Sequence, residues 1–323
     1  MMEKRSLQDR SSLLADVAEM YYLEQKNQAE IAKTVGVTRS MISRMLTEAR
    51  ESGIVEIRIQ RPLQSDPDLE NLLKEKFGLK DVFVVVSNHR SGERLTRTLG
   101  NAGAQMLARY LAPQKILGLA WGTSISATVD AFKASGPMPL KVVQLVGAMG
   151  ARNMEYDGHD LVSRMVEKLG GEAYYLYAPY LCQSAEMAKS LLETKSIRET
   201  ISVGKKTDVA LLGIGTTSPD YSSFYLAGYV TRRELDDLRK AGAIGDVCGL
   251  HFDLAGQPAC DDFCERLVSI RRLDMLSIPV RLGVAGGEGK VDAILGALRS
   301  RYVNVLVIDS MTARNVLERA KSK

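Results

Sequence analysis

Apolar residues at Leu13, Leu14, Val17, Ala18, Tyr21 and Tyr22 recur every three or four positions, which predicts a helix with one buried stripe. Ile31, Ala32 and Val35 repeat the pattern from Gln28 until Gly36 interrupts it, and behind Thr38 it restarts at Ile42, Met45, Leu46 and Ala49. Glycine tolerates positive φ and closes helices, and threonine caps their starts, so two helices joined by a three-residue turn are predicted after the first. "SGIVEIRIQR" then alternates Ile54, Val55, Ile57 and Ile59 with Glu56, Arg58 and Arg61, the pattern of a short strand or wing. Pro62 and Pro67 punctuate the chain, and Leu69, Leu72, Leu73 and Phe77 open a further helix. The predicted division is residues 1–61 and 62–323.

Beyond that boundary, seven apolar runs alternate with stretches of helical pattern: "DVFVVV", "KILGLAW", "KVVQLVGAMG", "AYYLYAP", "DVALLGIG", "VRLGVAGG" and "VNVLVID". Continuous apolar strands of this kind are buried on both faces, so an α/β layered fold with a parallel sheet and helices on both sides is expected. Ligands in such folds lie beyond the carboxyl ends of the strands.

Composition changes the picture little. Hydrophobic residues make up 45% and charged residues 25%, the balance of a folded globular chain, and the net charge of +4 confines any nucleic-acid surface to a local patch. No stretch is long and apolar enough for a membrane span, and "MMEKRSLQDRSS" lacks the apolar core of a signal peptide, so a cytoplasmic protein is expected. Cys182, Cys248, Cys260 and Cys264 form no C-x-x-C pair and only three histidines accompany them, so neither a metal nor a cofactor is expected.

A glycine turn between two short helices is the form of a helix-turn-helix, whose second helix enters the major groove with its N-terminal residues against base edges. Thr38, Arg39, Ser40, Ser43 and Arg44 are so placed, with Gln28 heading the first helix of the pair. Between Glu30 and Glu48 there is no acidic residue, while Lys33, Arg39 and Arg44 are basic. Operator DNA is the expected partner of this domain.

In the large domain, "LAWGTSISATVDAF" passes from strand through Gly122, Thr123 and Ser124 into a helix starting near Ser124, which converges backbone N–H groups, hydroxyls and a helix N-terminus on one point. That arrangement suits phosphate. Gly147 and Gly150, Gly213 and Gly215, and Gly286 and Gly287 mark three other strand ends. Lys290, opening a helix with Val291, Ile294, Leu295 and Leu298 on its stripe, is a candidate cation, and Asp246 a candidate acceptor from sugar hydroxyls.

"VAEMYYLEQKNQAEIAKTVGVTRSMISRMLTEARESGIVEIRI" resembles the N-terminal domain of the SorC and bacillary DeoR family of sugar-responsive bacterial transcriptional regulators. The likeness extends through "LGLAWGTSISATV", "LLGIGTT", "GAIGDVCGLHFD" and "VAGGEGKVDAILGAL". It implies a winged helix-turn-helix followed by an effector domain similar in fold to sugar-phosphate isomerases and CoA transferases, a phosphorylated sugar effector, and a homotetramer. Gly122, Thr123, Ser124 and Lys290 then match phosphate-binding positions and Asp246 the acidic residue facing the sugar; Gly147, at its strand end, and His159 are further effector-binding candidates. His159 and Asp160 stand where many members have asparagine, and Tyr180 follows Pro179 where smaller apolar residues are common. The alternative is a sugar-phosphate isomerase-like enzyme with Asp246 as base, but no paired carboxylates or nucleophile with base commit the sequence to it.

Overall fold

A computed structural model describes residues 2–55, 62–150 and 156–321. The chain divides into two compact units, Met1–Pro62 and Leu63–Lys323. The first contains the helices α1 (Met2–Tyr22), α2 (Gln28–Val35) and α3 (Arg39–Glu51). Asn27 Oδ1 accepts from the N–H of Ala29 (3.0 Å) and Glu30 (3.1 Å), while the Glu30 carboxylate accepts from Asn27 N–H (2.9 Å). This reciprocal box satisfies donors that a helix start leaves bare. Gly36, at φ +77°, ends α2 and donates to Ala32 O, and Thr38 Oγ1 accepts from Met41 N–H (3.3 Å) to start α3. Val17, Ile31, Ile42 and Ala49 are fully buried between the helices. Tyr21 lies 36% exposed, so the buried stripe of α1 runs through Leu14, Val17 and Ala18 instead. The strand or wing expected over Ile54–Ile59, with Arg58, falls mostly on residues 56–61, outside those described.

Because Ile42 fills the centre of this small core, Ile42→Val should lower its stability by about 0.5–1.5 kcal/mol. Thermal unfolding followed by circular dichroism checks this. An unchanged melting curve would mean that the site relaxes around the lost methyl.

The second unit runs through α4 (Pro67–Phe77), β1 (Asp81–Val85), α5 (Gly92–Ala108), β2 (Ile116–Leu119), α6 (Thr123–Ala131), β3 (Leu140–Gln144), α7 (Gly158–Leu169) and β4 (Gly171–Tyr174). It continues with α8 (Ala185–Glu193), α9 (Lys195–Gly204), β5 (Val209–Gly213), β6 (Gly215–Thr216), α10 (Ser223–Leu226), α11 (Arg232–Lys240), β7 (Gly245–Val247) and β8 (Leu250–Phe252). The last elements are α12 (Asp261–Glu265), α13 (Arg272–Ser277), β9 (Val280–Val284), α14 (Val291–Arg299), β10 (Val305–Asp309) and α15 (Ser310–Arg319).

Each of the seven apolar runs supplies one strand of a parallel sheet ordered β1-β10-β9-β5-β2-β3-β4. Val305 to Ile308 are all fully buried, which requires cover on both faces and explains why these runs do not alternate. In "AYYLYAP" the strand stops at Tyr174, and the following segment is tied beside the sheet by Leu176 N–H, which donates to Gln144 Oε1 (3.1 Å), and by a bridge between Pro179 and Ala148.

The chain lays β3 and β4 on one side of β2, then returns to place β5 on the other, with β9 and β10 continuing outward. The sheet therefore reverses direction between β2 and β5, and a crevice opens beyond the carboxyl ends of strands at such a point. A small antiparallel sheet, β6-β7-β8, stands there, which the sequence pattern did not anticipate. Its β7–β8 hairpin turns on Cys248 and Gly249, at φ +54° and +77°, the paired positive φ of a two-residue type I′ turn. Close packing fixes α6 nearby. A Cβ on Gly100 of α5 would lie 2.6 Å from the backbone of Ala127, and one on Gly103 2.6 Å from Thr128 Oγ1.

Candidate functional site

On the first unit, α3 presents Arg39, Ser40, Ser43, Arg44 and Thr47 to solvent, and neither Arg39 nor Arg44 has an ion-pair partner among the described residues. Both guanidiniums are free to meet a nucleic acid. Thr38 is occupied in capping α3 and in a 3.0 Å hydroxyl pair with Ser40, so it positions the reading end of the helix. Gln28 is the first residue of α2, where backbone N–H groups and side chain can meet a phosphate. The acids nearest this face are engaged: Glu30 in its cap and Glu48 with Arg10 at 2.6 Å, a hydrogen bond that holds the Glu48 carboxyl below its usual range. Met41, absent from the sequence reading, is 45% exposed on the same helix, where its apolar side chain can touch a thymine methyl. Its place in the first turn of α3, off the buried stripe, was the available signal.

On the second unit, the crevice at the β2/β5 reversal is walled by Trp121 to Ser124 after β2, Gly213 to Thr216 after β5, Asp246 and Cys248 of the hairpin, and Lys290. Helix α6 begins one residue earlier than expected, at Thr123, behind Gly122 at φ +130°, and no side chain caps it. Gly122 N–H is already donated to Tyr156 O (3.2 Å), and Ser126 N–H is the first to turn back into the helix, onto Gly122 O (2.9 Å). The N–H groups of Thr123, Ser124 and Ile125 have no partner among the described residues and face whatever stands before the helix, with the favourable end of its dipole behind them.

Lys290 closes a single 3-10 turn, Glu288–Lys290, ahead of α14, not the first turn of the α-helix itself. Its ammonium donates to Ile214 O at 2.9 Å. Burial lowers its pKa from the ordinary lysine value, and the Asp246 carboxylate opposes that shift. One of its three N–H groups is used among the described residues, and the other two can meet a ligand. Asp246 Oδ2 accepts from Gly249 N–H (2.9 Å) across the hairpin turn, and its Oδ1 lies over Gly215, where a Cβ would stand only 2.0 Å away. Glycine at 215 is what lets the carboxylate lie flat on the crevice floor.

Trp121 and Phe224 stack at 6.0 Å and 22°, Trp121 and Tyr180 meet edge to face at 6.1 Å, and Ser222 and Ser223 join Phe224 in the lining. The sequence reading missed this aromatic wall; the one cue was Trp121 immediately before the glycine turn. The crevice is partly open, with a volume of about 50 Å³.

Two expected residues lie elsewhere. Neither Gly147 nor His159 is among the residues lining the crevice. Gly147 N–H donates to Val268 O (2.8 Å), and a Cβ there would strike Pro179 O at 2.7 Å, so this glycine serves close packing of the segments that cover β3. His159 stacks on Tyr175 at 4.2 Å near the start of α7. Gly286 and Gly287 likewise make room for a buried carboxylate: Asp309 Oδ2 accepts from Gly287 N–H at 3.1 Å and would lie 2.3 Å from a Cβ on Gly286.

Gly215→Ala should weaken a ligand in the crevice at least about tenfold, or 1.4 kcal/mol, because the new methyl must displace Asp246. Calorimetric titration of the parent and variant checks it. Equal affinities would remove Asp246 from the site.

Residues 61–318 match the family model of a sugar-binding domain, Sugar-bind. The chain is 30% identical over 308 residues to the sorbitol operon regulator of Klebsiella pneumoniae, covering 95% of this chain and 98% of that one. It is 29% identical over 306 residues to the deoxyribonucleoside regulator of Bacillus subtilis (strain 168), covering 95% and 97%. To the transcriptional regulator LsrR of Enterobacter sp. (strain 638) it is 31% identical over 307 residues, covering 94% and 92%. Among solved structures, full-length SorC from Klebsiella pneumoniae superposes with a TM-score of 0.71 at 30% identity over 96% of this chain and 99% of that one.

Proposed function

This chain belongs to the SorC/DeoR family of sugar-binding bacterial transcriptional regulators, and from that premise we propose that it regulates a carbohydrate-metabolism operon in response to a phosphorylated sugar. The observation that carries the effector is the convergence of the uncapped α6 N-terminus, Lys290 and Asp246 on one crevice at the sheet's reversal point. The phosphate meets the N–H groups and hydroxyls of Thr123 and Ser124 and the Lys290 ammonium. Asp246 accepts from sugar hydroxyls, and the Trp121 and Phe224 rings face the carbon skeleton.

In the same reading, α3 lies in the major groove with Arg39, Ser40, Ser43 and Arg44 toward base edges and phosphates, and Thr38 and Gln28 at the groove's margin. Two such helices from a dimer read half-sites about one helical turn or a multiple apart, and dimers pair into a homotetramer. Effector and operator must then alter each other's affinity by the same factor. Anisotropy titrations on DNA selected from a random pool, with and without the sugar phosphate, test this. Operator affinity that ignores a bound sugar phosphate would contradict the reading. A sugar phosphate incubated with the protein should be recovered unchanged, whereas turnover would favour the isomerase alternative.

Affinity should also depend on pH. The phosphate favours the charged ammonium, so binding weakens as pH rises through the lowered pKa of Lys290. Titrations between pH 7 and the ordinary lysine value check this. A flat profile matching that of Lys290→Met would show that the ammonium does not meet the anion.

A further inference from the structure

A second cavity, of about 560 Å³, adjoins the same hairpin, with Gly249, Leu250 and His251 in one wall. Its size is that of a small-molecule site. His251 is only 4% exposed, and its Nδ1 lies 2.8 Å from Gly249 O. A carbonyl can only accept, so Nδ1 carries the proton, and burial keeps the ring neutral by lowering its pKa. Nε2 is therefore a bare acceptor, with no partner among the described residues. Tyr302, 2% exposed, also lines the cavity, and its hydroxyl has no partner among the described residues. Arg271 and Arg272, with no ion pair among the described residues, supply positive charge to the walls, while Asp261 and Glu265 supply carboxylate acceptors. Lys205 and Asp274 neutralise each other at 3.3 Å.

His251 and Tyr302 thus bring polar atoms with unused hydrogen-bonding capacity to the cavity lining. We propose that this cavity is a second effector site, for a polyhydroxylated carboxylate of the sugar-acid class. Its carboxylate pairs with Arg271 and Arg272, and its hydroxyls donate to His251 Nε2, Asp261 and Glu265. The site is distinct from the crevice but tied to it, since Gly249 accepts from His251 through its carbonyl and donates to Asp246 through its N–H. Occupancy acts on the residue that orients Asp246.

Calorimetric titration of the full chain with gluconate tests the proposal. One gluconate per chain is expected, with affinity reduced at least tenfold in the Arg271→Glu, Arg272→Glu double variant and preserved in Lys290→Met. Both arginines are exposed, so the double variant should keep its melting curve and its affinity for inorganic phosphate in the crevice. His251→Asn provides an independent variant within the wall and should weaken gluconate likewise. Absence of gluconate heat would overturn the proposal, as would binding indifferent to the arginine pair or lost in Lys290→Met. A change of oligomeric state in the double variant without gluconate binding to the parent would make this face an interface between copies instead. Saturating gluconate should also shift the affinity for inorganic phosphate severalfold, and an unchanged affinity would overturn the effector role.

Discussion

In the Lys290→Met protein, a phosphorylated sugar that binds the parent chain should bind more weakly by about 2–5 kcal/mol, a loss of at least thirtyfold. Methionine keeps the length and apolar stem of the side chain and removes only the ammonium. The anion then keeps the N–H groups of α6 but faces the Asp246 carboxylate without the intervening cation, and Ile214 O loses its 2.9 Å donor. The free sugar should lose much less, because its contacts lie toward Asp246 and the aromatic wall. Calorimetry with both forms separates these effects. An equal loss for free and phosphorylated sugar would mean that the variant has disturbed the whole crevice.

Arg39→Ala carries the second large expected effect. One arginine gripping a guanine is worth about 1–3 kcal/mol of discrimination, and the proposed dimer would place two on its operator, so about 2–6 kcal/mol should be lost. Ser43→Ala should cost less, since a hydroxyl makes a single neutral bond. The pattern over sequences is as informative as the size. If Arg39 reads a base, its loss relaxes preference at one position of each half-site; if it meets phosphate, affinity falls on every sequence and the salt dependence becomes shallower. Anisotropy on the selected operator and single-base variants distinguishes the two. Intact affinity and preference in both Arg39→Ala and Ser43→Ala would take α3 out of the groove.

How much of this was legible depends on the range of the interactions concerned. Helices α2 and α3 are set by local signals, from Gln28 to the Gly36 turn and the Thr38 cap, and the pattern located them closely; the Asn27/Glu30 capping box was equally local but was overlooked. The seven parallel strands declared themselves because burial on both faces makes a continuous apolar run. Glycine-rich strand ends were visible too, but they look alike in one dimension. Which of them meet is decided by strand order, and only at the β2/β5 reversal do Thr123, Asp246 and Lys290 come together from distant parts of the chain. Gly147 lies after the end of β3, where the backbone of Ala178 and Pro179 stands within 2.8 Å of where its Cβ would be. The β7–β8 hairpin escaped notice because its strands are only three residues long, too short for an alternation, although a two-residue turn ending in glycine was present. Trp121 and Phe224 pair across more than a hundred residues of sequence, a distance at which spacing carries no information.

Thermal unfolding of the full chain against matched pairs of phosphorylated and free sugars tests the central claim most directly. A ligand that binds only the folded state at a hundred times its dissociation constant stabilises it by about 2.7 kcal/mol. The account predicts that one phosphorylated sugar raises the melting temperature of the large unit, that its free counterpart does so far less, and that the difference disappears in Lys290→Met. A rise produced equally by the free sugar, or one that survives unchanged in Lys290→Met, would contradict it.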